Sequence, residues 1–423
     1  MNQTLFSSVS KKHCQILIVG AGPAGMSAAK AAAESGQKVI MIDDNPVPGG
    51  QIWRDGANVT LPPLAVKYRQ HLAALSNVEI LSGSKIIAPG GSQSVIYENM
   101  SGCGEIYYQS LIICSGAREI LLPFPGWTLP GVIGAGGLQA MIKGGLQLQN
   151  QRIVIAGSGP LLLAVATSVN QAGGNIAGLF EQTSWRALFS FAFTLWHWPT
   201  KFYQALTSFN SAYRANSYVL EALGDKQIEA VRIQQGTTEK IIPCDRLACG
   251  FGLEPNTDLG QLLGCRLESR ALAVDERQQS SVENIYAAGE CSGIGGGELS
   301  LVEGAIAGYS ATQQYQRAEE LIKQRQKWQH FANKIIQTFP LRDELKTLAR
   351  PDTLICRCED VPFSMLEPHT NWRQAKLNSR CGMGACQGKI CATAAYHLLG
   401  WQTPPPRIPL SPVRVQSLTN EEK

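Results

Sequence analysis

Residues 16–43 read ILIVGAGPAGMSAAKAAAESGQKVIMID. The run ILIV (16–19) is short and β-rich, Gly20, Gly22 and Gly25 follow in GAGPAG, small residues suited to a helix come next, and a second strand over 38–42 ends on Asp43. Each part has a physical task. Gly20 permits the tight turn, Gly22 lets backbone approach a pyrophosphate, and Gly25 lets helix and strand pack closely. The helix N-terminus, with Pro23 and Ala24 in its first turn, offers unpaired amides to phosphate. Asp43, with Asp44 beside it, stands where a carboxylate accepts ribose hydroxyls. A GxGxxG alone is weak, but strand, glycines, helix, strand and acid in this order predict a dinucleotide-binding α/β domain.

Three later segments favour flavin over nicotinamide in this site. Gly49, Gly50 and Gln51 follow soon after Asp43, as in flavoproteins resembling thioredoxin reductase, where this backbone runs along the flavin. The strand LIICSGA (111–117), with Ser115 and Gly116, leads through Arg118 to PFPGW and resembles the return strand of that superfamily. NIYAAGEC (284–291) resembles the motif that contacts the flavin ribityl chain, with Gly289 kept and Glu290 in place of the usual Asp. Together they imply one FAD.

A second dinucleotide motif, RIVIAGSGPLLLAV (152–165), carries Gly157 and Gly159 after a strand, with Glu181 at the end of the next one. Leu162 occupies the third glycine position, so helix and strand cannot approach as closely. CGFGLEPNTDL (249–259) resembles the strand that closes the nicotinamide domain of two-dinucleotide reductases. The architecture is that of a glutathione- or thioredoxin-reductase-like flavoprotein, while NAD(P) occupancy of the second site stays open. The aromatic segment 185–218 reads as a helical insertion, packed on its own domain or burying a partner subunit.

Composition bounds the rest. At 423 residues and 44% hydrophobic, the chain fills two to four domains. A net charge of +4 is too small to argue for nucleic acid, and 17% charged residues fits a surface buried in cofactor or partner contacts. The first residues lack an apolar signal core, and no run reaches the roughly 18 apolar residues of a membrane span. With twelve cysteines, such a chain is expected in the reducing cytoplasm, its thiols serving metal or catalysis.

Five of those cysteines lie in LICRCEDV (354–361) and RCGMGACQGKIC (380–391). Thiolates suit zinc or iron-sulfur. Zinc sites favour C-x2-4-C knuckles, whereas Cys356 and Cys358 form a tighter pair, which together with the Gly-rich loop favours a [2Fe-2S] cluster. Four ligands are needed. Cys381 with Cys386 and Cys386 with Cys391 are both C-x4-C pairs, and spacing alone does not choose between them.

The cysteine motifs, with PFPGWTLPGV (123–132), AGSGPLL (156–162) and GIGGGE (293–298), resemble the flavin and iron-sulfur subunit of heteromeric amine dehydrogenases. That family includes the B-type chain of hydrogen cyanide synthase, the A-type chains of octopine and nopaline oxidases, and the α-type chains of D-hydroxyproline and L-proline dehydrogenases. The resemblance implies a small C-terminal domain like bacterioferritin-associated ferredoxin, with ligands at Cys356, Cys358, Cys386 and Cys391. Cys381 falls where the family commonly has Ala, and is expected as a bystander or spare ligand. It also implies a β subunit similar to glycine or sarcosine oxidase, a small third subunit, an FMN at the subunit interface and a quinone-type acceptor.

The expected organisation is an FAD-binding domain over 14–126 and 282–320, and a second dinucleotide-binding domain over 127–281. A helical linker over 321–350, an iron-sulfur domain over 351–400 and a Pro-rich tail over 401–423 follow. Its stretch 403–413, where prolines exclude helix and inner strand, is expected as an extended strap over a neighbouring domain or subunit, the alternative being a disordered end. No acid, base or oxyanion constellation stands out, the six histidines are scattered, and no C-x2-C separates the dinucleotide motifs. Substrate oxidation is therefore expected on the β subunit, with proline, hydroxyproline or an opine-like amino acid as substrate. Two other readings use the same motifs: a self-contained NAD(P)H-dependent reductase, and an iron-sulfur redox sensor.

Overall fold

The structure, a computed structural model, describes residues 10–57 and 59–418. Ile16–Ile18 and Val39–Ile42 are at most 1% exposed, the burial that a parallel sheet covered on both faces requires. Their sheet is parallel throughout, in the order Ile285–Ala287, Ser110–Ile113, Ile16–Val19, Val39–Ile42, Val78–Leu81.

The helix Pro23–Ala33 buries every residue except Lys30. It packs against Gly296–Ala311, where Gly304 and Gly308 allow near backbone contact: a Cβ at either would lie 2.1 Å from Ala24 O or 2.4 Å from Ala28 O. Small residues on both helices thus bring the 285–311 segment over the first phosphate loop. An antiparallel meander, Lys85–Pro89, Ser94–Asn99 and Gly102–Tyr107, completes this domain, with Ser10–His13 parallel to its last strand.

The second parallel sheet runs Val132–Gly134, Arg246–Gly250, Arg152–Gly157, Asn175–Glu181, Tyr213–Arg214. A three-stranded antiparallel sheet, Ser217–Leu223, Ala230–Gln235 and Thr238–Pro243, packs beside it. The two chain crossings between the domains pair with each other: Ala117–Glu119 is antiparallel to Leu253–Pro255.

Two boundaries shift from expectation. After Leu253–Pro255 the chain is already back in the first domain, because Leu259, Cys265 and Leu272 pack with Leu17 and Ile40, so the second domain ends well before 281. The aromatic segment also divides. Tyr213–Arg214 is the edge strand of the second sheet, and only the helices Trp185–Thr194 and Pro199–Thr207 stand apart, neither burying a single residue of its own. Between those helices, Leu195 and Trp198 pack on Phe331 of the long helix Ile322–Thr338.

The C-terminal module is a hairpin, Leu354–Cys356 with Val361–Pro362, followed by the helices Trp372–Ser379 and Cys391–Leu399 around Ile355, Leu366, Trp372 and Ala394. It docks on both dinucleotide domains. Trp127 Nε1 donates to Leu354 O at 2.6 Å, the Arg270 guanidinium lies 3.8 Å from the Tyr396 ring centroid, and Lys389 pairs with Asp258 at 3.6 Å. The proline-rich tail then crosses back over the meander. Leu410 is buried and its amide donates to Ile87 O at 2.8 Å, while Ser417 Oγ donates to Glu98 at 2.6 Å.

Candidate functional site

Four segments converge on the N-terminus of Pro23–Ala33. Gly20 has φ +102° and a Cβ there would lie 2.2 Å from Cys114 O, while a Cβ at Gly25 would lie 1.8 Å from Gly20 O. Only glycine fits either place. Gly50, at φ +59°, approaches Gly22 so closely that its Cβ would lie 2.9 Å from Gly22 Cα, and a Cβ at Gly289 would lie 2.8 Å from that of Ala24. The residues of 20–25, 49–51, 114–116 and 289–290 therefore surround one set of helix amides.

The space above Gly22 is open. A Cβ there would meet only Gly50 Cα, at 3.8 Å. Asp43 is buried and spends its carboxylate on the loop itself, accepting from the Ala21 amide and, at 2.8 Å each, from the Asn45 backbone and side-chain nitrogens. Asp44 is the exposed acid next to it. Ser115 Oγ donates to Asn256 O at 2.6 Å, and the Asn256 side chain returns a bond to Ser115 O at 3.0 Å. Gln51 is exposed, with its side chain on Arg54. A cradle of glycines, free helix amides and an adjoining acid fits FAD, which an α/β flavoprotein fold implies.

Two side chains at this site, Glu303 and Lys143, belong to none of the sequence motifs. Glu303, in Gly296–Ala311, is 4% exposed and accepts from the Gly289 amide at 3.0 Å. Burial pushes its carboxyl up to about 7, against the opposing pull of Arg325 at 3.6 Å. Burial also raises Glu290. Lys143 reaches the carbonyls of Gln51 and Ile52 at 3.2 Å, and burial, then Arg54, lower it. The signal for Glu303 is one acid inside the otherwise small and apolar run LSLVEGAIAG (299–308).

The second loop is built alike, with its acid tied to a different amide. Gly157 has φ +153° and a Cβ there would lie 2.0 Å from Gly250 O. Glu181 is fully buried, accepting from the Gly159 amide at 2.7 Å and the Thr183 amide at 2.9 Å. Burial raises its carboxyl, and together with Glu181 it also raises the phenol of Tyr213, which lies against that acid. Phe339 sits beside Gly159, edge-on to Phe191 of the aromatic insertion. Behind it Gln182 holds the chain with two bonds, to Pro340 O and from the Arg342 amide, each 3.0 Å.

All five C-terminal cysteines meet at one end of their module. The sulfurs of Cys356, Cys381 and Cys391 are buried and lie within 4.8 Å of one another. Cys358, exposed, and Cys386, half-buried, are 3.9 Å apart. Gly384 makes the room: a Cβ there would lie 2.2 Å from Cys358 Cβ. Burial raises the Cys356 thiol while the Gly382 amide, donating to its sulfur, lowers it. Contact with the Cys381 thiol, then burial, push Cys391 far up. Thiols so crowded deprotonate only against a cation, and a thiol nest with amides donating to sulfur fits an iron-sulfur cluster.

A family model described as pyridine nucleotide-disulphide oxidoreductase matches residues 14–320. The chain belongs to this family. It is a flavin oxidoreductase with an added cysteine module. It is 30% identical to hydrogen cyanide synthase subunit HcnB of Pseudomonas aeruginosa, covering 96% of this chain and 98% of that protein. Identity to the A-type chain of opine oxidase from Agrobacterium tumefaciens is 29%, over 91% of this chain and 85% of that one. L-proline dehydrogenase from P. horikoshii shares the fold, with a TM-score of 0.71 over 98% of this chain and 81% of that one at 16% identity. Thioredoxin reductase of T. acidophilum matches 72% of this chain and 99% of its own, at a TM-score of 0.54 and 23% identity. No helix among the described residues is long and apolar enough to cross a membrane.

Proposed function

We propose that the chain is the electron-transfer subunit of a heteromeric dehydrogenase. FAD lies on Gly20, Gly22, Pro23, Ala24, Gly25, Asp43, Asp44, Gly50, Gln51, Ser115, Gly116, Gly289 and Glu290. A [2Fe-2S] cluster is held by Cys356, Cys358, Cys386 and Cys391. A β subunit resembling glycine or sarcosine oxidase takes hydride from an amino or imino acid, with proline, hydroxyproline and opine-like acids as the substrate class. Electrons reach this chain by way of an FMN at the interface and leave to a quinone-type acceptor; a small third subunit completes the complex. The relatives named as subunits of hydrogen cyanide synthase and opine oxidase support this reading. The site is cytoplasmic, where thiols stay reduced and serve metal.

The observation that carries the proposal is the fixed docking of the thiol module on the flavin domain. Lys389, between Cys386 and Cys391, pairs with Asp258; two residues earlier, Asn256 holds Ser115 on the return strand of the FAD domain. When bound, FAD takes up electrons in pairs and gives them out singly, which suits a one-electron cluster. The chain's own part is to bind, orient and exclude water. The glycine cradle seats the pyrophosphate, Glu303 fixes the Gly289 turn, and the 3.9 Å pair Cys358 and Cys386 forms the solvent-facing edge of the nest.

A self-contained NAD(P)H reductase would seat a second dinucleotide on Gly157 and Gly159, where Leu162 in the third glycine position keeps helix and strand from approaching as closely. A redox sensor would need no flavin beside its cluster, whereas the thiol module docks on the flavin domain. The test is to purify the native complex and identify its subunits, its cofactors and the amino acid that bleaches its flavin. One chain isolated alone and reduced by NADH would overturn the proposal.

A further inference from the structure

Five thiols converge where a [2Fe-2S] cluster takes four. They divide into two sets by position and burial. Cys358 and Cys386 form a pair at the surface, 3.9 Å apart, whereas Cys356, Cys381 and Cys391 form a buried trio within 4.8 Å. Each iron of such a cluster takes two terminal thiolates. The surface pair matches the outer iron, and the buried trio brings three sulfurs to the inner iron's two places.

Cys381 is held in the trio by its backbone. The helix Trp372–Ser379 stops at Arg380, whose φ of 65° turns the chain inward while its amide still donates to Lys376 O. Ser379 Oγ accepts the Cys381 amide at 3.2 Å. Gly382, at φ +80°, then carries the chain past Trp372, where a Cβ would lie 2.5 Å from the indole. Cys381 is 0% exposed, and its neighbours Cys356 and Cys391 come from a strand and a separate helix. Three different elements thus deliver sulfurs to one point.

We propose that Cys381 is an interchangeable ligand of the inner iron, able to take the place of Cys356 or Cys391, and that the outer iron has no such reserve. This rests on the cluster assigned under the proposed function. It predicts an asymmetry between the two ends of one cluster that four obligatory ligands would not show.

The test uses the full chain purified anaerobically with its cofactors. It measures iron and acid-labile sulfide per chain, the visible circular dichroism, and the EPR spectrum after dithionite; FAD content reports on folding independently. The wild type holds about two iron and two sulfide. Cys358→Ala and Cys386→Ala fall below about one-tenth of that, for want of a replacement sulfur. Cys356→Ala and Cys391→Ala each keep more than about half the iron, with shifted EPR g-values because one ligand has changed. Cys381→Ala keeps full iron and an unshifted spectrum. Adding Cys381→Ala to either inner variant removes the cluster.

Loss of iron from both Cys356→Ala and Cys391→Ala, to the level of Cys386→Ala, overturns the inference. Loss from Cys381→Ala alone overturns it too, by making Cys381 an obligatory ligand. A wild type that takes up no iron on anaerobic reconstitution fails the proposed function instead. The two failures are therefore separable.

Discussion

The two phosphate loops, GAGPAG at 20–25 and GSGPLL at 157–162, share both leading glycines and the proline and are packed differently. Each begins with a glycine pressed on the carbonyl of a neighbouring strand, Cys114 or Gly250, so the turn itself is the same. They part at the third position. Gly25 draws its helix onto the strand, while Leu162, fully buried, fills the equivalent space and belongs to the second sheet's core. They part again at the acid. Asp43 reaches the amide of Ala21, whereas the longer Glu181 reaches one residue further, to Gly159. Each acid is thus tied to its own loop, and the two loops differ in which amide it holds.

The sharpest way to break this comparison is to fill the open loop. Gly22 has an extended backbone and free space around its missing Cβ, so Gly22→Val should fold and lose flavin. FAD affinity is expected to drop about 10–100-fold, the equivalent of about 1–3 kcal/mol of overpacking, measured by flavin fluorescence titration. Undiminished affinity would mean the pyrophosphate lies elsewhere.

The converse change is Glu181→Gln. It leaves one of the amides of Gly159 and Thr183 facing an N–H instead of an oxygen, at a cost of about 1–3 kcal/mol in stability. FAD content should not change, since Glu181 belongs to the second loop and not to the cradle around Gly22. Thermal denaturation and flavin absorbance read the two effects separately.

A smaller effect sharpens the open site. The folded chain keeps a proton on Glu303 until about pH 7, above the ordinary 4.5. The unfolded chain has released it by then, so the folded state binds more protons and its stability falls as pH rises through that window. Glu303→Gln keeps an acceptor for the Gly289 amide and removes the titration. The melting temperature of the variant relative to wild type should rise from about pH 5 to about pH 7 and then level off. A difference that does not vary with pH would contradict the burial of an ionisable group there.

The first loop is legible in the sequence because its determinants are local: three glycines, a short helix of small residues and an acid, all within residues 16–43. The surroundings of the second loop are not. Tyr213, against Glu181, and Phe339, beside Gly159, come from far along the chain, and no periodicity joins them to the loop. The return crossing escapes the sequence for a similar reason. NIYAAGEC announces the flavin domain, but the pairing of Leu253–Pro255 with Ala117–Glu119 and the packing of Leu259 and Leu272 bring the chain back earlier. Among the cysteines, spacing leaves Cys381 and Cys391 equal as partners of Cys386. What places Cys381 beside Cys356 and Cys391 is the left-handed turn at Arg380 and the Trp372 ring, neither of which spacing encodes.

Under the proposed function this chain receives its electrons from a partner and not from a nicotinamide. The most direct test is anaerobic mixing of the purified chain, loaded with FAD and iron, with excess NADH or NADPH in a stopped-flow spectrometer. The flavin band is predicted to stay unbleached, while dithionite added to the same sample reduces flavin and cluster. Bleaching by either nicotinamide on the time scale of turnover would contradict the claim and make the second loop a working site.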